Sequence, residues 1–416
     1  MAVKNDVDME VIYERCCGID VHKEEIVASV ITGQGGMVTK RFGAFTDELR
    51  ELAAWIKVED CQIVAMESTG SYWKPLYNVF ELEGIKAIIV NSYHARTIPG
   101  YKTDKRDSRR LAKLLRFGLL RASFIPDKDQ REFRELTRYR MSRIEERARE
   151  LNRLQKMLEG ANIKLGNIVS EITGDTSTRL IKLVVANDEL SAQQIAQARD
   201  PKCKASVEEF QKALNGIISP LQRELFMEVL RIIDEQTRQI ERIEAMIQKY
   251  TTDAYDQAAK ALVPIPGIGR TSAEQIIAEI GVDMSQFPTA GHLCAWAGVS
   301  PGDNESAGKR KSGKTRKGNK TLKKTLIQCA TSAVHNKNSF AYAQYQRLVV
   351  RKGRNKAVVA VAHSMLIAIY HVLSGNDFHD LGADYYTQFN KDKKIKSLCK
   401  QLQKLGVEVP CPKLAV

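Results

Sequence analysis

At 416 residues the chain is too long for one compact core, and two or three domains are expected. Its 43% hydrophobic and 27% charged residues exclude a disordered or low-complexity chain. A net charge of +14 calls for a polyanionic partner, nucleic acid ahead of an anionic membrane, and no lipid-binding helix or lipidation signal favours the membrane.

The opening MAVKNDVDMEVIYERC lacks the basic-then-apolar pattern of an export signal, so a cytoplasmic protein is expected. Eight cysteines, at positions 16, 17, 61, 203, 294, 329, 399 and 411, form no C-x-x-C and no paired Cys/His spacing. Reduced thiols are expected, with neither structural zinc nor a disulfide framework.

Residues 15–100 alternate β-like and helical runs. CGIDVHKEEIVASVIT and MVTKRFGAF read as neighbouring strands across the turn GQGG, and DELRELAAWIK reads as a helix. QIVAMES follows as a buried strand, the segment around WKPLYNVFELEG as a helix and KAIIVN as a strand; from Lys102 the pattern turns helical. Strands paired first as hairpins and then alternating with helices predict a mixed α/β sheet.

From about 127 to 250 the chain predicts long charged helices. Met141, Ile144, Ala148, Leu151, Leu158 and Leu165 form one apolar ladder, and Phe226, Val229, Ile233, Ile240, Ile243, Ile247 and Tyr250 a second. Their three-four spacing fits a coiled coil or antiparallel helical hairpin, or an ordinary bundle core. A third unit begins near Ala258, where VPIPGIGRTSAEQIIAEIG has the Pro/Gly turn and following helix of a helix-hairpin-helix, able to present backbone N–H groups to a phosphate. Helices over 321–335 and 356–374 follow, and then the basic tail KDKKIKSLCKQLQKLG. The run AVVAVAHSMLIAIYHVL carries His363, Ser364 and His371 and is read as a buried helix, not a membrane span.

Four carboxylates stand out in this basic chain: Asp20 in GIDVHK, Glu67 ending IVAME, and Asp104 and Asp107 in KTDKRDSRRLAKLL. The first two fall at strand ends, and the last two share a helix face at i, i+3. Such a cluster repels itself unless a divalent cation neutralises it, and hard oxygen donors suit Mg²⁺ or Mn²⁺, which polarise phosphoryl oxygens. The structural alternatives are a helix N-terminal charge for Asp104 and an ion pair with Arg110 for Asp107. His22, Trp73 and Trp296 are read as packed side chains, and Lys102 and Arg106 either touch DNA or offset the acid pair.

A second constellation is SAGKRKSGKTRKGNKTLKK, residues 306–324, with nine Lys or Arg and no acid. Gly308, Gly313 and Gly318 punctuate it, so its first part is expected to be a flexible loop. Lys309, Arg310, Lys311, Lys314, Arg316 and Lys317 suit the closely spaced phosphates of a nucleic-acid backbone. Ser306 and Ser312 stand within it, and a serine beside cations and facing a metal site is able to attack a phosphodiester.

Taken in order, GIDVHK, AMESTGSYW, KTDKRDSRRLAKLL, IPGIGRTSA and AGVSPGDNESAGKRKSGKTRKGN resemble the DEDD transposases of bacterial insertion sequences, relatives of the Piv-type DNA invertases and RNA-guided bridge recombinases. The likeness spans residues 15 to 375. It implies a RuvC-like, ribonuclease-H-like catalytic domain (12–125), a helical coiled-coil region (126–255), a mainly helical C-terminal transposase domain (256–375) and a basic tail (376–416). By motif match it implies that Asp20, Glu67, Asp104 and Asp107 hold the metal. The nucleophile is Ser306, a few residues after the proline of Gly298-Val299-Ser300-Pro301, with Ser312 in reserve. Family members place glycine directly after this serine; here Ala307 intervenes before Gly308.

The resemblance further implies a phosphoserine intermediate, donor and target DNA, a guide RNA encoded by the element, a homo-oligomer (dimer or tetramer) and action at the bacterial nucleoid. The rival readings are a RuvC-like structure-selective nuclease, in which water attacks, and a non-catalytic nucleic-acid-binding scaffold.

Overall fold

The computed structural model describes residues 10–406 apart from 34, 69, 91–106, 170, 173, 188, 303, 307–308, 316 and 390, with backbone alone at 304–306, 309–312, 387, 389 and 392–394. The chain divides into two compact units, Met1–Pro126 and Asp127–Val416. The predicted helical region and the C-terminal region therefore share one unit.

The first unit is a five-stranded mixed sheet in the order β3-β2-β1-β4-β5. β1 (Cys16–Val21), β2 (Glu25–Ile31) and β3 (Met37–Gly43) run antiparallel; β4 (Ile63–Glu67) and β5 (Ala87–Val90) run parallel to β1. This order is consistent with a ribonuclease-H-like fold. The expected single strand CGIDVHKEEIVASVIT is instead a hairpin, closed where the His22 N–H donates to the Glu25 carbonyl at 3.0 Å. The physical reason is local. Four consecutive charged or polar residues, His22 to Glu25, cannot continue a strand buried on both faces, so the chain turns there.

Strand alternation divides the side chains between two cores. Cys17, Ile19, Ala28, Val30, Val64 and Met66 pack against α1 (Thr46–Val58) and α2 (Trp73–Leu82). On the opposite face Cys16, Ile31, Ile63 and Ala65 meet Ala112 and Leu115 of α3 (Asp107–Arg116). That helix lies so close that a Cβ on Gly18 would stand 2.2 Å from the Ala112 nitrogen and 2.3 Å from the Ser108 carbonyl oxygen.

The second unit opens with α4 (Lys128–Gly160), capped by the Asp127 carboxylate, which accepts from the Gln130 N–H at 2.8 Å. α5 (Asp175–Ala186), α6 (Ala192–Ala198) and α7 (Val207–Leu214) lead to α8 (Pro220–Tyr250), which starts with a Ser219/Gln222 capping box and proline in its first turn. α4 and α8 lie antiparallel: Leu154 and Leu158 pack with Phe226, Val229 and Leu230, and Phe133 with Ile243 and Ile247. Between these ends Met141, Ile144, Leu151 and Ile233 are only half-buried and Ala148 is exposed. Leu165 lies beyond the end of α4, and Tyr250 is 58% exposed, so neither extends the ladder as expected.

α9 (Asp253–Leu262) and α10 (Arg270–Ile280) are joined by a turn in which Gly267 has φ +85°. A side chain there would stand 2.2 Å from the Cys329 carbonyl oxygen, so helix packing itself requires the glycine. α11 (Ala290–Ala297) precedes the antiparallel pair β6 (Asn304–Ser306) and β7 (Lys309–Ser312). The start of the basic strip is thus a β-strand pair where a flexible loop was expected.

α12 (Lys320–Ala333), α13 (Phe340–Lys352), α14 (Arg354–Leu373), α15 (Tyr385–Phe389) and α16 (Lys391–Lys404) complete the chain. Among the described residues α14 alone is long and apolar enough to cross a membrane. Its Ala357, Val361, Ala362, Leu366 and Ile369 are buried within the helical unit.

Candidate active site

Asp20 and Glu67 are brought together by sheet register. Ile19 pairs with Met66 across parallel strands, so Asp20 and Glu67 come next, level with each other at neighbouring carboxyl ends. Backbones there are about 5 Å apart. Asp20 falls in phase with Cys16, and Glu67 with Ile63 and Ala65, the side chains that meet α3, so both belong to its face of the sheet. The Ser29 hydroxyl, on the same face, lies 2.8 Å from the Ser108 hydroxyl at the start of α3. That contact, with Gly18, fixes the helix end that carries Asp107. Asp104 lies outside the described residues, as do Lys102 and Arg106.

Glu67 is nine-tenths buried, and no hydrogen bond or ion pair engages its carboxylate among the described residues. Desolvating a carboxylate without a partner is costly. Asp20 is partnered: His22 Nε2 lies 3.0 Å from Asp20 Oδ2. The expectation of a packed histidine fails here, since the His22 side chain is 63% exposed at the turn. Among the described residues no three potential ligands cluster closely enough to hold a metal. The donor chemistry nevertheless fits a hard divalent cation: carboxylate oxygens, one set buried and uncompensated, at the ends of parallel strands.

In the second unit the hairpin is held at its base. Pro301 bridges Thr315, the Gly302 N–H donates to the Lys314 carbonyl at 3.0 Å, and Lys323 Nζ donates to Thr315 Oγ1 at 2.8 Å. Gly318 passes so near Trp296 and Gly298 that a Cβ would lie within 2.6 Å of their backbone. Ser306 ends β6 and Ser312 ends β7, with Lys309, Arg310 and Lys311 on β7. Lys314 and Lys317 are exposed beyond it, and Arg316 lies outside the described residues. Trp73 and Trp296 are half-buried, Trp73 edge-on to Tyr77 at 5.7 Å and Trp296 beside Phe287 at 5.6 Å.

Comparison with known proteins places both units in one family. Residues 17–163 match a DEDD transposase domain of the IS110 type, described as a transposase, and residues 259–346 match the transposase domain of the IS116/IS110/IS902 family. The chain is similar to the transposase for insertion sequence element IS1111A of Coxiella burnetii, 23% identical over 77% of this chain and 80% of that protein. It is also similar to a 43.6 kDa uncharacterized protein of insertion element IS110 from Streptomyces coelicolor, 26% identical over 36% of each. The chain belongs to the IS110 family of DEDD-type transposases.

One feature of this transposase escaped sequence reasoning. Glu279 of α10 is fully buried and gathers Arg138 of α4, whose Nε and Nη2 donate at 2.6 and 2.8 Å, and Asn319, whose Nδ2 donates at 2.6 Å. Arg134 stands 3.5 Å away; burial pulls its guanidinium below the ordinary arginine value, and Glu279 opposes that shift. Asn319 also caps α12, accepting from the Leu322 N–H at 3.0 Å. The carboxylate thus ties the end of the basic strip to α4. The available signal was an acid inside the apolar run QIIAEIG.

Thiol chemistry is remote from this machinery. Burial pushes Cys16 up to about 11, and Cys61 and Cys294 to about 12, so these thiols stay protonated at neutral pH.

Proposed function

We propose that this transposase cuts and rejoins DNA strands through a phosphoserine formed on Ser306, with Asp20, Glu67, Asp104 and Asp107 holding Mg²⁺ or Mn²⁺. The observation that supports it most is the placing of Asp20 and the buried Glu67, which no described residue engages, on adjacent parallel strand ends, on the face of the sheet that carries Asp107. Bound there, the cation would neutralise the carboxylates and stabilise charge developing on phosphoryl oxygens. His22 steadies Asp20 Oδ2.

Ser306 Oγ attacks phosphorus as its proton passes to solvent or a base. The Oγ–P bond forms, the P–O3′ bond breaks, and the departing oxygen gains a proton to become a 3′-hydroxyl. The 3′-hydroxyl of a second DNA end then attacks the ester, and the serine is released. Because the ester conserves the bond, no nucleotide cofactor is needed. Lys309, Arg310, Lys311, Lys314, Arg316 and Lys317 clamp backbone phosphates around the cut. Sequence choice is delegated to an element-encoded RNA pairing with donor and target DNA, and a homo-oligomer assembles both DNA ends in the bacterial cytoplasm.

Trapping the covalent adduct tests this. With end-labelled donor DNA, the element-encoded RNA and Mg²⁺, the wild-type protein yields a protein–DNA band resistant to denaturant, and Ser306→Ala yields none. Undiminished cleavage by Ser306→Ala would replace the serine route with attack by water, as in a structure-selective nuclease. Transfer of the adduct to Ser312 would move the nucleophile.

A further inference from the structure

The chain's excess of positive charge lies in one stretch. Residues 306–376 contain 15 Lys or Arg and no Asp or Glu, whereas 49 Lys or Arg meet 50 Asp or Glu in the rest. Nine of the fifteen belong to the strip already described. Four more crowd into six residues at the tip of the α13–α14 hairpin: Arg351, Lys352, Arg354 and Lys356. All four are exposed, and none has an ion-pair partner among the described residues.

Several cations on the long helices of this unit behave differently. Along α4 and α8 they are matched by nearby acids: Arg143 with Glu146, Arg153 with Glu150, Arg231 with Glu228, and Arg238 and Arg242 with Glu235. Arg347, earlier on α13, is also engaged, stacked 4.5 Å over the Tyr386 ring. Arg351 and Lys352 suit the carboxyl end of α13, but Arg354 and Lys356 open α14, where the helix dipole repels them, and the Gly353 cap offers no side chain to offset that cost. Helix stability therefore does not account for them. A ligand carrying regularly spaced negative charge does.

We propose that the α13–α14 tip is a second DNA-backbone contact, separate in sequence from the serine hairpin, which grips duplex phosphates through Arg351, Lys352, Arg354 and Lys356. Such contacts position DNA without reading bases. The proposal rests on the chain being a DNA transposase but not on the serine mechanism.

Equilibrium binding of the full-length protein to a random-sequence duplex, measured across a salt series, tests it without any cleavage. The quadruple alanine variant should bind at least tenfold more weakly, with a plot of log affinity against log salt shallower by about 3.6, since each of the four phosphate contacts contributes about 0.9 to the slope. Arg351→Lys with Arg354→Lys should keep the wild-type slope. An unchanged slope in the alanine variant, or a change seen with single-stranded RNA but not with the duplex, would overturn the proposal. Failure of Ser306→Ala to abolish the adduct would leave it standing.

Discussion

Glu279 holds two cationic side chains and an amide in a fully buried position, so its charge is matched where water cannot match it. Removing one partner of a buried ionic set costs about 3 kcal/mol or more, because the remaining charge is left uncompensated. Glu279→Gln keeps the shape but takes the charge from beside Arg134 and Arg138. A loss of about that size is expected in urea denaturation, together with weaker capping of α12 through Asn319.

His363 of α14 offers a pH-dependent counterpart. Its Nδ1 lies 3.4 Å from Ser300 Oγ, just before the hairpin base, and burial lowers its pKa from the ordinary value. The neutral imidazole is thus favoured in the fold. Its contribution to stability is complete above the unfolded pKa, near 6.5, and is lost as pH falls through that value toward the lower folded one. His363→Gln should flatten the pH dependence of unfolding in that window and leave stability at pH 8 little changed relative to the drop seen in acid.

At the level of elements, the β1–α3 contact is the most exacting join in the first unit. Adding one methyl at Gly18 drives it into the α3 backbone at Ala112 and Ser108, which cannot rotate away as a side chain would. Overpacking of this kind typically costs about 1–3 kcal/mol, and backbone-on-Cβ contact belongs at the upper end. Gly18→Ala should therefore lower the unfolding midpoint. By shifting β1 against α3 it should also separate Asp20 from Asp107 and slow strand cleavage beyond what the lost stability explains. Assaying cleavage well below the melting transition separates the two effects.

The same elements show what the sequence carried. QIVAME and KAIIV declare themselves as strands through unbroken β-branched and apolar runs, and DELRELAAWIK as a helix by its apolar period. The placing of Asp20 and Glu67 near strand ends was legible because each closes an apolar run. What was hidden depends on distant contacts: the register that levels the two acids, the helix that requires Gly18, and the Arg138–Glu279–Asn319 junction, whose members are 141 and 40 residues apart. The turn at His22 and the hairpin at 304–312 were misread for a local reason, since short polar segments fit loop, turn and strand equally well.

Across the whole molecule, charge and chemistry are allotted to different parts of the chain. Residues 1–126 carry 18 Lys or Arg against 17 Asp or Glu, and residues 127–416 carry 46 against 33. The unit with the carboxylates is nearly neutral, so substituting its acids should barely alter the long-range attraction for DNA, whereas it should change the response to metal. Mg²⁺ or Mn²⁺ binding only the folded protein stabilises it by linkage, about 1.4 kcal/mol at tenfold excess over the dissociation constant. Wild-type protein should therefore melt at higher temperature with Mn²⁺ than with EDTA. Glu67→Gln should lose that increment and, relieved of a buried uncompensated charge, should melt no lower than wild type in EDTA. Duplex binding by the same variant should keep the wild-type salt slope while strand cleavage disappears. If the melting increment survives in both Asp20→Asn and Glu67→Gln, the cation is held elsewhere and the carboxylates at the strand ends lose their assigned role.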